Sequence, residues 1–534
     1  MFGFSSFISA QNISQEEVDS YFKNLPFEMK KIEIPVFSQK FFDITKYGAV
    51  PDGLTKNTAA IQNAIDECAK SGGGFVVIPS GLWLTGPIQL KSNINLHLEK
   101  GALVVFSPDR KDFPLIQIPG SKEYELMTPI YGYQIENVAI TGEGLFDGNG
   151  DTWRPVKKSK MTSAQWKKLM EGGVVNKNGD MWWPSEQALN AEEFLSKRKK
   201  SDLTKDDYES IRDYLRPYML YIEKSKNILL DNISLQNSPK FAMNLRKCEN
   251  IIIRQVKVMN DWWAQNGDGL DISSSKNILM YKCTVNAGDD GICIKSSGKT
   301  KDGSPAMENV VIADCVVYQG HGGFVIGSNT DGGIRNVAVR NCNFIGTDTG
   351  LRFKSGIGRG GLVENIFIDN IMMKGIQNEA IIFDLVYEDK GAAKTLDPKV
   401  DNKLPVFQKI YINKLVCDGA EQAFLISDLS ENSVKEIEIN NSTIISSKGF
   451  NFSGGENITL NDVTVKSKTS PLFSLTNSVD INLKNFISLE ATKTFMKLSG
   501  AKTKGITLTN SKPDKSEKIF EFGDGVSENA VLIK

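Results

Sequence analysis

Apolar residues recur at alternate positions along most of this chain, in short runs that themselves repeat. From about Lys226 onward eleven anchor positions align: Asn227, Asn250, Asn277, Asn309, Asn336, Asn365, Lys409, Glu436, Asn457, Asp480 and Gly505. They are 23, 27, 32, 27, 29, 44, 27, 21, 23 and 25 residues apart. The residue after each anchor is Ile or Val, from Ile228 to Ile506, and a second apolar position follows two further on, from Leu230 to Leu508. The residue between is mostly polar or variable. Period two means a strand, and repeats of this length mean stacked coils. Five positions after the anchor stands a second polar column with Asn232, Asn341, Asn370, Asn441, Asn485 and Asn510, where side-chain amides can bond to those of the coils above and below. The next column, Ile233, Val256, Cys283, Cys315, Cys342, Ile371 and Leu415, reads as core, with its thiols serving as small hydrophobes. The pattern predicts an all-β parallel β-helix. A leucine-rich repeat would show LxxLxLxxN, and a propeller would need about four strands in a longer unit.

Upstream, Phe41 to Gly81 reads as a strand, a Gly/Asp turn and an amphipathic helix with Ala60, Ile61, Ile65 and Cys68 on one face. Thr58 is the expected N-cap and Gly72 to Gly74 the stop. Residues 83–107 alternate as half-buried strands do. Residues 11–40 form a polar, partly helical extension. Residues 1–10 are apolar and Ser-rich, and Ile8-Ser9-Ala10 resembles a cleavage site, so a signal-peptide remnant and an exported protein, periplasmic or extracellular, are expected. The expected organisation is a single catalytic β-helix domain over 41–534. Two stretches interrupt the repeats: a charged, helical insertion at 151–217 carrying Trp153, Trp166, Trp182 and Trp183, and a Lys/Asp-rich segment at 387–406. Inserted loops are where function tends to sit, although the tryptophans fit local packing as well as sugar stacking.

Composition narrows the partners. The 534 residues carry a net charge of −1 and a pI near 6.3, which points to neither a nucleic-acid nor a membrane partner. An acidic substrate would need a local basic cluster. Seven scattered cysteines without a CxxC pair argue against a disulfide scaffold and a structural zinc site. No metal or cofactor is expected, and the protein is expected to be a monomer.

Chemistry concentrates between Asn266 and Ser355. Four segments there read as versions of one another: NGDGLDISS, GDDGICIKS, GHGGFVIGS and TDTGLRFKS, aligned on Gly269, Gly291, Gly323 and Gly350. Asp268 shares a column with Asp290, Asp289 with His321, and Lys295 with Lys354. With coils ~4.8 Å apart, three carboxylates crowd together, so at least one should titrate high. An acid beside ionised partners suits glycosidic cleavage, in which one group protonates the leaving oxygen and the others activate water. A calcium site or ordinary turn acids would use the same residues. His321 could bond or tune the acid, whereas His97, in INLHLEKG, points away from the core and reads as surface. Arg352 and Lys354 leave the core on one face and suit a substrate carboxylate, or else balance the aspartates.

These residues resemble glycoside hydrolase family 28, the polygalacturonase family, over about residues 41–510. The family motifs Asn-Thr-Asp, Asp-Asp, Gly-His-Gly and Arg-Ile-Lys stand here as Asn266-Gly267-Asp268, Asp289-Asp290, Gly320-His321-Gly322 and Arg352-Phe353-Lys354. Gly in place of Thr and Phe in place of Ile are departures outside the chemistry. The resemblance implies a right-handed β-helix, with Asp289 as general acid and Asp268 with Asp290 activating water in an inverting displacement. It also implies that His321 assists, and that Arg352, Lys354, Tyr387 and Asn266 bind substrate. The substrate implied is an acidic pectic polysaccharide or oligosaccharide with α-1,4-galacturonosidic bonds. The text around the motifs is similar to bacterial exo-poly-α-galacturonosidases, in which insertions wall off one end of the cleft, as 151–217 could here. Alternatives are an endo-polygalacturonase, a galacturonosidase of rhamnogalacturonan oligosaccharides, a calcium-dependent pectate lyase, and a non-catalytic pectin-binding solenoid.

Overall fold

The computed structural model describes residues 13–298, 300–387, 404–428, 433–511, 513 and 515–534. The expected signal-peptide remnant and nearly all of the Lys/Asp-rich segment lie outside the described residues. The chain groups into two compact units, one of Met1–Ser20, Ile32–Ile272 and Cys283–Asp289, the other of Tyr21–Lys31, Ser273–Lys282 and Asp290–Lys534.

Each unit is built of parallel β-helix coils. In the first, Ile94–Leu98, Glu136–Gly142, Lys226–Asp231 and Glu249–Arg254 pair in parallel order on one sheet. Ile88–Gln89, Ile130–Tyr133, Leu220–Glu223 and Met243–Arg246 do so on another. In the second, one ladder runs Lys276–Tyr281, Met307–Ala313, Ile334–Ile345, Leu362–Lys374, Val406–Asp418 and Lys435–Ile445. The other runs Asp290–Lys295, Gly322–Ile326, Leu351–Lys354, Glu379–Asp384, Gln422–Ser427 and Lys448–Ser453.

The anchors owe their identity to the backbone. All eleven have positive φ, from +51° at Asn457 to +70° at Gly505. The asparagines of the second polar column do too, from +49° to +61°. Asn tolerates the left-handed region better than most residues, so it is the commonest residue at the two left-handed corners of each coil. The amide ladders form on top of that geometry: Asn250 donates to Asn227 at 3.0 Å, Asn336 to Asn309 at 3.1 Å and Asn370 to Asn341 at 2.9 Å. The Ile or Val after each anchor is fully buried. All seven cysteines are free and buried. Cys342 forms no disulfide with its neighbour Cys315; its Sγ donates to Arg340 O at 3.3 Å, and the Cys315 thiol together with burial pushes the Cys342 thiol up.

Some local expectations need correction. Asn57, not Thr58, precedes the helix Thr58–Lys70; Thr58 is its first residue, and its Oγ1 accepts from the Gly86 amide at 2.6 Å. Ala64 joins the buried face in place of Ala60. His97 is half-buried, not a free surface group: its Nδ1 lies 2.9 Å from Thr141 Oγ1, and burial lowers its pKa. The four tryptophans of 151–217 are all buried and serve packing. Trp166 and Trp182 cluster with Val156, Trp153 meets the edge of Phe113 at 5.0 Å, and Trp183 stacks on Tyr214 at 6.0 Å.

The N-terminal extension has a larger part than its sequence suggested. In the first unit its helix Gln15–Ser20 brings Glu17 to 3.4 Å from Arg254. In the second, the Tyr21 ring lies 4.4 Å from Tyr281, and its hydroxyl donates to Asp314 at 2.6 Å. The residues between the two core positions of the early coils, Leu229, Ile252, Leu279 and Val311, are accordingly apolar and fully buried.

Candidate active site

In the first unit Asp268 ends a tight turn that starts at Asn266, whose φ is +53°. Gly267 has no room for a side chain: a Cβ there would stand 2.7 Å from that of Ala264. The departure from the family's threonine thus has a steric reason. Gly288, before Asp289, is crowded by the same Ala264, whose Cβ would lie 2.8 Å away, and its amide donates to Gly267 O at 3.0 Å. The two turns are therefore bonded directly, and the carboxylate oxygens of Asp268 and Asp289 come within 4.8 Å of each other. Asp268 is 3% exposed; Asp289 is partly exposed.

Two cations from the insertion hold these turns. Arg216 donates to Gln265 O at 2.7 Å and to Asn266 Oδ1 at 2.8 Å. Lys160 donates to Gly288 O at 3.2 Å and to Trp262 O at 2.9 Å. Asn266, expected to meet substrate, thus has its side-chain oxygen engaged by Arg216. Neither cation was singled out from sequence. The available signal was an Arg-Pro pair at the end of a charged insertion that already carries another at Arg154-Pro155, too common to stand out.

In the second unit Asp290 opens the strand Asp290–Lys295 and is 1% exposed. Lys354 Nζ lies 2.7 Å from its Oδ2 and Arg352 Nη1 3.1 Å from its Oδ1. Burial alone would raise the Asp290 pKa, but Lys354, Arg352 and Lys295 outweigh it and hold the carboxyl well below the usual range. Burial likewise opposes the Lys354 charge, and Asp290 more than offsets it, so the ammonium titrates above its ordinary value. The charge-balance reading of the two cations is therefore realised, and Asp290 is not the acid expected to titrate high. Arg352 reaches Asp290 across the coil that carries Gly322, where a Cβ would stand 3.3 Å from that of Arg352. The Tyr387 ring covers both cations, 4.9 Å from Lys354 Nζ and 5.5 Å from Arg352 Cζ. His321, in the residue position before Gly322, places Nε2 3.7 Å from Asp348 Oδ2. Phe353 stacks at 4.4 Å on Phe383 of the next coil, which gives the phenyl in the family's Ile position its own partner.

A family model described as glycosyl hydrolases family 28 matches residues 164–414, and one described as rhamnogalacturonase A/epimerase, pectate lyase-like, matches 41–97. The chain is 28% identical over 378 residues to an exo-poly-alpha-D-galacturonosidase of Dickeya chrysanthemi, an alignment covering 67% of this chain and 59% of that protein. It is also 28% identical over 350 residues to an endo-polygalacturonase of Pectobacterium carotovorum, covering 64% of this chain and 74% of that one. Among solved structures it resembles an exopolygalacturonase from Thermotoga maritima at 27% identity and a TM-score of 0.62, over 89% of this chain and 96% of that one.

Proposed function

We propose that this chain, whose residues 164–414 match the glycosyl hydrolases family 28, is a glycoside hydrolase of that family that hydrolyses the α-1,4-galacturonosidic bonds of polygalacturonate and its oligomers from one chain end. The observation that carries the substrate class is the pair of buried or half-buried cations, Lys354 and Arg352, converging on one carboxylate under an aromatic ring. A site that holds its own carboxylate in this way is chemically matched to a uronate. Asp289 donates its proton to the leaving glycosidic oxygen, and Asp268 with Asp290 takes the proton of the attacking water. An arriving uronate competes with Asp290 for Arg352, which loosens the clamp and makes Asp290 a better base just when substrate is present. His321, beside Asp348, assists from the neighbouring coil. Inversion is carried over from the family.

The exo mode is supported by the antiparallel hairpin Leu115–Gln117/Tyr124–Leu126, which belongs to the same unit as Asp268. Its Glu125 is pushed up to about 7 by burial, with Glu223 adding to the shift and Lys240 and Arg246 opposing it. The insertion buttresses this region through Tyr208, 5.7 Å from Tyr124, and through Arg212, which donates to Phe113 O at 2.7 Å. We also propose that the protein acts outside the cytoplasm, where such polymers are found, as the apolar, Ser-rich start of the chain suggests. Chromatography of digests of defined oligogalacturonides tests the reading. A saturated product of one size, released from the first minutes, is expected. A ladder of sizes would make the enzyme endo-acting, and ultraviolet-absorbing, chelator-sensitive products would make it a lyase.

A further inference from the structure

Upstream of Asp268 on the same sheet, the hydrogen-bond register defines a column that the catalytic reading does not use. Leu220 faces Met243 and donates to Ala242 O at 3.1 Å; Met219 donates to Phe241 O at 2.9 Å, and Ala242 to Asp268 O at 2.9 Å. A parallel ladder with this pattern sets Tyr218, Phe241 and Asp268 in line, one per coil. Tyr218 and Phe241 have ring centroids 4.9 Å apart, and Lys240 Nζ lies 5.1 Å from the first ring and 5.7 Å from the second. All three side chains are partly exposed. Two rings beside a cation, one and two coil rises (~5 and ~10 Å) from a cleavage acid, have the chemistry of an anionic sugar: the rings take the apolar face of a pyranose and the ammonium takes its carboxylate.

We propose that Lys240, Tyr218 and Phe241 form a further substrate subsite, which binds the carboxylate and ring face of a uronic acid residue next to the cleaved unit. The subsite rests on the polygalacturonate reading and adds a specificity determinant that is separate from Arg352 and Lys354.

Initial rates on di-, tri- and tetragalacturonate, together with calorimetric binding of tetragalacturonate, test the proposal in the full chain. Lys240→Met keeps the apolar stem and removes the charge, and Lys240→Arg keeps the charge. The expected result is that Lys240→Met raises KM about tenfold to a hundredfold on the trimer and tetramer, with kcat nearly unchanged and digalacturonate hardly affected. Lys240→Arg should recover most of the loss, and methyl-esterifying the tetramer should erase the difference between Lys240→Met and the parent. Equal losses on dimer and tetramer, or no loss on either, would overturn the subsite and leave the cation–ring contact as packing. Tetramer binding that depends on Lys240 in a protein that cleaves none of these substrates would keep the subsite and refute the hydrolytic reading. An absence of both binding and cleavage in the parent would refute both.

Discussion

The coils from Asp290 to Asp384 and those from Gln422 to Ser499 share one sheet design and differ in what they show outside. Their inner columns are alike: Phe324, Leu351, Ile381, Phe424, Phe450 and Phe473 follow one another in register, all buried. The neighbouring outward column changes from Arg352 through Ile382 and Leu425 to Asn451, Ser474 and Lys497. The column of Lys354 becomes Asp384, Ser427, Ser453, Thr476 and Ser499. The same backbone positions thus carry a buried ion cluster in one region and an ordinary hydrophilic surface in the other. The two regions differ in the outward side chains on a uniform carrier, because the carrier's inward side is fixed by packing.

Substitutions can break that contrast. Asp289→Asn should give the largest effect, a fall in kcat of ~10²–10⁴-fold with the melting curve unchanged, since the side chain is partly exposed at a turn. Lys354→Met comes next. It leaves Asp290 buried with one fewer cation and should cost about 3–5 kcal/mol in denaturant unfolding, whereas Lys497→Met on the later coils should stay within about 0.5 kcal/mol. The sign with pH follows from the depressed Asp290 pKa. Its contribution is complete above about pH 4 and is lost as pH falls through the folded-state value. In Lys354→Met that loss, and the acid limb of the rate profile, should both move to higher pH.

Arg216→Ala should lower kcat about tenfold to a hundredfold through a misplaced Asp268 turn, with Arg216→Lys recovering only part because one ammonium cannot span both acceptors. A smaller effect is expected at a corner. Asn336→Ala should cost about 1–2 kcal/mol for its left-handed backbone and its ladder bonds, and Asn336→Gly less, with KM and kcat unchanged for both. A kinetic defect there would show that the corners and the working face are not separable.

The repeats were legible because two physical demands coincide on each coil: a left-handed corner that selects Asn, and a buried Ile or Val beside it. The acidic and basic motifs were legible because their residue types are rare in a core. The partners of those groups were not. That Lys354 and Arg352 close on Asp290 depends on Gly322 leaving the intervening coil bare, and the clamp from Arg216 crosses 50 residues of chain. The extension's role was half visible. The position between the two core residues is apolar at Leu229, Ile252, Leu279 and Val311 and polar at Glu438, Thr459 and Asn482, a change that signals a covered outer face.

The left-handed corners also limit where such a coil can accept new chain. Both fall between successive strands of the sheet that holds Asp290–Lys295 and Leu351–Lys354, as with Asn309 and Asp314, at +61° and +56°, between Lys295 and Gly322. The variable lengths enter elsewhere: residues 151–217 before a working strand, and the stretch between Asp384 and Val406 after one. Such a coil has two stiff hinges and two open ports. Grafts that extend or replace segments at the ports can redesign the rim around the substrate, while insertions at the hinges would unseat the stack.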